Sequence, residues 1–78
     1  MIEKLKIKAI YDDFVSKVNL NEEQKKILNM MLNRDKIVKM SLEIGVSERT
    51  IKYEIKKIKT LYNNYLQMEM TKMISLIN

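Results

Sequence analysis

The residues best placed to do chemistry in this 78-residue chain lie between Gly45 and Lys59. Five of the twelve residues after Ser47 are Lys or Arg, against Glu48 and Glu54. If Ile51, Ile55 and Ile58 are the buried stripe of a helix, geometry sends Glu48, Arg49, Lys52, Tyr53, Lys56 and Lys57 outward. A cationic outer face of this kind grips a polyanion, since each lysine beside a phosphate displaces a condensed counterion. Arg49 has the planar fork that can hold a guanine edge by two hydrogen bonds. Lys52, Lys56 and Lys57 suit phosphates, which position a protein without reading sequence. Thr50 suits a phosphate or backbone contact, or a part in the helix cap, and Tyr53 fits either a thymine methyl or a phosphate. Catalysis finds no comparable constellation. There is no His and no Cys, so disulfides and the usual zinc sites are excluded and neither metal nor cofactor is expected. The carboxylates Asp12, Asp13, Glu22, Glu23, Asp35 and Glu43 stand singly or as helix-start pairs rather than as an acid–base dyad. A single glycine cannot build a phosphate-cradling loop, and no enzyme is predicted.

The elements that must position this face are all helices. Proline is missing, and apolar residues recur at helical spacing throughout. A first amphipathic helix is predicted over 2–18, with Ile7, Ile10, Tyr11, Phe14 and Val18 on one side and Asn19 as its stop. Asn21 reads as the N-cap of a second helix reaching about Asn33, with Glu22 and Glu23 in its first turn and Ile27, Leu28, Met31 and Leu32 inward. Asp35 is expected to cap a short third helix over 36–44, in which Ile37, Met40 and Ile44 face the next helix. Gly45 accepts the positive φ of a tight turn, Val46 plugs the corner, and Ser47 caps the fourth helix. The segment Tyr62-Asn63-Asn64-Tyr65 is a possible break, because Asn is a mediocre helix former. Beyond it, Leu66, Met70, Met73 and Ile77 recur at spacings of four, three and four, a seam for another helix. The expected organisation is one all-α domain over 1–78: an N-terminal helix (1–19), a tri-helical helix-turn-helix core (20–61) and a C-terminal helix (62–78) suited to homodimerisation.

A net charge of +5 and a pI near 9.5 favour a polyanionic partner. An AT-rich genome, bacterial or phage, would also enrich Lys, Ile and Asn, so the location of the charge matters more than its sum. No apolar run approaches the roughly 18 residues of a membrane span, and MIEKLKIK lacks the apolar core of a secretory signal. The lack of cysteine fits a reducing compartment, and a cytoplasmic location is expected.

From Leu20 to Ile58 the chain resembles the DNA-binding domain of LuxR-type response regulators and the fourth-region domain of bacterial sigma factors. The likeness rests on Leu20 and Asn21 at the opening, Gln24, the pair Ile27-Leu28, the pair Met40-Ser41, the run Ile44-Gly45-Val46-Ser47, then Thr50-Ile51-Lys52 and Ile58. These positions align without a gap over half the chain. Ser41 stands where the family has a small Ala, and its hydroxyl is expected to bond back to its own helix. Arg34 stands at the usual Gly, so that connection is expected to rely on Asn33. The resemblance implies a helix-turn-helix that regulates transcription, with the helix opened by Ser47 in the major groove. No receiver or polymerase-binding domain accompanies the motif in these 78 residues, so a complete response regulator or sigma factor is not expected.

Together these features predict a sequence-specific regulator of double-stranded DNA that binds as a homodimer through Ser47, Glu48, Arg49, Thr50, Lys52, Tyr53, Lys56 and Lys57. Two alternatives remain open: a module that binds a protein of the transcription machinery, and a DNA-packaging or replication accessory protein.

Overall fold

A computed structural model describes the backbone of residues 3–77 and the side chains of residues 5–70. All regular elements among the described residues are helical. A 3-10 turn (Glu3–Lys6) leads into α1 (Lys8–Lys17), followed by α2 (Glu22–Leu32), α3 (Ile37–Ile44) and the long α4 (Glu48–Ile77). Thirty residues at about 1.5 Å each make α4 about 45 Å long. It therefore spans a molecule of 49 × 20 × 20 Å, and α1, α2 and α3 all pack against it.

The core forms where the apolar stripes of these helices meet. Ile27 and Leu28 of α2, Met40 of α3 and Ile51 and Ile58 of α4 are buried, as the helical periodicity requires. Phe14 of α1 lies edge-on against Tyr62 and Tyr65, with ring centroids 5.4 and 5.3 Å away. This T-shaped packing lets the positive ring edge meet a negative ring face. Met30 is also buried, while Met31 and Leu32, expected inside, are only half-covered.

Several local expectations are corrected. The first helix does not run from residue 2. The chain bends at Ile7, whose side chain is 57% exposed, and Leu5 of the preceding turn enters the core instead. Asn21 does cap α2: its side chain accepts from the Gln24 amide (2.7 Å) while Gln24 Oε1 accepts from the Asn21 amide (3.1 Å), a reciprocal capping box. Asp35 does not cap α3. Lys36 occupies that position without a side-chain bond, and the Asp35 carboxylate meets Lys39 at 3.4 Å. Arg34, rather than Asn33, takes the left-handed conformation between α2 and α3, with φ of 60°. The Ser41 hydroxyl does not bond back to its own helix; it donates forward to the Val46 carbonyl.

No break occurs at residues 62–65. The helix that begins at Glu48 passes through them, so the division into a core ending at 61 and a separate C-terminal helix is replaced by one continuous element. The reason is burial: Tyr62 and Tyr65 belong to the core, and their packing outweighs the few tenths of a kcal/mol by which Asn63 and Asn64 disfavour helix.

Candidate nucleic-acid interface

The turn between α3 and α4 sets the direction of α4. Gly45 has φ of 82°, which an L-residue reaches only at a cost, and its amide donates to the Ser41 carbonyl at 2.9 Å. Ser41 Oγ then holds the Val46 carbonyl, so one residue of α3 fixes both sides of the corner. Ser47 Oγ accepts from the Thr50 amide at 3.1 Å, and the two hydroxyls lie 3.0 Å apart. Ser47 and Thr50 thus form the cap that starts α4, while Ile51 anchors the first turn in the core.

With Ile51 and Ile58 inside, Glu48, Arg49, Lys52, Tyr53, Lys56 and Lys57 are all exposed, as are Lys59 and Thr60. Arg49, Lys52, Lys56, Lys57 and Lys59 have no ion-pair partner among the described residues, so their charges are free to meet a ligand. Glu54 falls within the same run of sequence but on the core-facing side of the helix. Its Oε2 accepts from Gln24 Nε2 at 3.1 Å, and Gln24 is itself buried. The side chain that completes the capping box of α2 therefore also holds the carboxylate of α4, which the helical register already places on the core-facing side with Ile51 and Ile58. Sequence reasoning placed Gln24 in the pattern but missed this bond, which depends on how α2 crosses α4. Glu48 stays at the exposed first turn, where the helix dipole favours an anion.

The residues expected to join two chains divide differently. Leu66 is half-buried and packs against the chain's own core, whereas Met70 is 61% exposed. The side chains of Met73 and Ile77 lie outside the described residues. Met68, not singled out by the spacing, is also 61% exposed. At this end α4 is clasped by α1. Lys17 Nζ lies 2.7 Å from Glu69 and 3.3 Å from Asp13, and the Tyr65 hydroxyl donates to Asp13. The bond to Asp13, with burial and the nearby carboxylates, pushes the Tyr65 phenol up to about 12. The hydrogen bond to Glu69, with Asp13 beside it, raises the Lys17 ammonium well above its ordinary value.

No group of carboxylates suited to a metal ion occurs among the described residues, and no helix there is long and apolar enough to cross a membrane. Comparison with known protein families, with curated proteins and with solved structures finds no match.

Proposed function

We propose that the chain is a sequence-specific DNA-binding regulator that presents the first half of α4 to the major groove, acting as a homodimer. α3, the Gly45 corner and the start of α4 would serve as its helix-turn-helix. The observation that supports this most is the arrangement of charge on α4: Arg49, Lys52, Lys56, Lys57 and Lys59 stand exposed and without an ion-pair partner among the described residues, while Glu54 lies on the core-facing side and is held by Gln24.

The length of the cationic run fits the same reading. From Arg49 to Lys59 is about 15 Å along the axis, close to the ~12 Å width of the major groove. Further along α4 the exposed polar residues Asn64 and Gln67 are uncharged. A straight helix crossing a curved groove would leave the phosphates behind at about that point.

Selection of duplexes from a random pool, followed by binding across a salt series, tests the proposal. Affinity for the selected duplex should fall steeply with salt. Lys52→Ala should weaken binding to all sequences alike and reduce the salt slope by about 1. Arg49→Ala should instead relax discrimination at one base pair, by roughly 1–3 kcal/mol. Failure to retain any duplex at low salt would overturn the reading. One observation favours a protein partner as the second reading: Val38 and Leu42 stack one turn apart on α3, and Leu42 is 79% exposed. Under that reading Leu42→Lys abolishes partner binding, and Lys52→Ala does not.

A further inference from the structure

The exposed face of α4 is not uniformly polar. Tyr53, 63% exposed, forms one wall of a depression of about 240 Å³ that Lys56, Lys57, Thr60 and Leu61 complete. The Thr60 hydroxyl donates to the Lys56 carbonyl at 3.0 Å, so its hydrogen is already engaged within the helix. The Tyr53 ring, the half-buried Leu61 and the lysine stems supply apolar surface. Two ammonium groups, of Lys56 and Lys57, without an ion-pair partner among the described residues, belong to its lining.

We propose that this depression reads the C5-methyl group of a pyrimidine, with the adjoining phosphate held by Lys56 or Lys57. The inference rests on the DNA-binding reading above and names one of the features recognised there. In the major groove a C5-methyl projects from the base edge toward the phosphate backbone of its own strand. A receptor for it therefore needs an apolar surface next to a cation, the combination found here. A phosphate alone has no use for the ring of Tyr53 or the side chain of Leu61, and the Thr60 hydroxyl hydrogen, held by the Lys56 carbonyl, is not on offer to a base edge. Two bases offer the group, thymine and 5-methylcytosine.

The test uses the full chain and the best duplex selected from a random pool. Each thymine is replaced in turn by uracil, which removes the methyl and leaves every hydrogen-bonding atom in place. At one position per half-site the substitution should lower affinity about fourfold, the worth of one buried methyl. Against Tyr53→Ala the same substitution should have no effect, while Lys52→Ala should still show it. Tyr53 is exposed, so its replacement leaves the core intact, and unchanged helicity by circular dichroism verifies this. Placing cytosine and then 5-methylcytosine at that position, each opposite guanine, separates the two sources. A gain on methylation means that the methyl itself is read, and no gain restricts the contact to thymine. If the duplex binds but no uracil substitution matters, or if the loss persists in Tyr53→Ala, the inference is wrong and the DNA-binding reading stands. If no duplex binds at all, both fall.

Discussion

Two residues in the left-handed region of backbone space hold the connections on either side of α3, and they do so with unequal ease. Gly45 has no Cβ, and a Cβ placed there would meet nothing within 4 Å, so only the φ of 82° opposes a side chain. Gly45→Ala should therefore cost about 1 kcal/mol, the conformational penalty alone. Arg34, at φ of 60°, already bears that penalty. Asn tolerates the left-handed region better than Arg, and a β-branched residue tolerates it worst. Arg34→Asn should raise stability by a few tenths of a kcal/mol, and Arg34→Val should lower it by about 1 kcal/mol or more. Urea midpoints with unchanged slope would establish all three. Equal stability of the Asn and Val variants would show that the backbone at residue 34 is not held left-handed. The Ser41 hydroxyl belongs to the same scale. Ser41→Ala removes the bond to Val46 and should cost about 1 kcal/mol while leaving the cationic side chains untouched.

Among the elements, α4 binds the molecule together, and its second half depends on α1. Phe14 lies against both Tyr62 and Tyr65, and Lys17 bridges Asp13 to Glu69. Tyr65 and Lys17 both have folded-state values raised above their ordinary ones. Groups raised on folding stabilise the protein fully below their unfolded pKa and lose that contribution as the pH climbs through the folded value. Stability should therefore hold up to about pH 10 and decline toward pH 12. The thermal midpoint of Tyr65→Phe should fall less over that window, and an identical decline would remove Tyr65 as the cause. The start of α4 was legible in the amino-acid sequence because one glycine, one capping serine and a run of isoleucines are local signals. Its continuation was not. Asn63 and Asn64 suggested a stop, and only the tertiary contacts of Tyr62 and Tyr65 with Phe14 override that propensity. The same holds for the candidate interface. Spacing alone placed Arg49, Lys52, Tyr53, Lys56 and Lys57 outside, whereas the bond that holds Glu54 depends on a contact 30 residues away in sequence. Leu5 was missed for a related reason, since a 3-10 turn shifts the register that an α-helical reading assumes.

At the scale of the whole molecule, a rod with its cationic face toward one end of α4 restricts the form that the proposed dimer can take. Tyr53 sits at the middle of the cationic run, and Met70 is the exposed apolar residue of the expected seam. They are seventeen positions apart, about 25 Å along the axis. Half-sites one helical turn apart require the two copies of the run to lie about 34 Å from each other, so each lies about 17 Å from the dyad. A dyad passing near Met70 then inclines each α4 by about 40° from it, and the two helices diverge at about 80–85°. Parallel coiled-coil tails would instead keep the two copies of α4 close along their whole length and could not reach successive major grooves. The absence of cysteine makes the distinction measurable, since a single introduced cysteine is a unique label site. For spin labels at Glu48→Cys and Thr60→Cys, the same construction gives separations of about 44 and about 20 Å on the selected duplex. The divergence is the informative quantity, because the difference between the two distances reports the angle between the helices directly, with no separate knowledge of where along the tail the dyad falls. Nearly equal distances at the two positions would exclude splayed helices, and sedimentation as a monomer on the duplex would exclude the dimer.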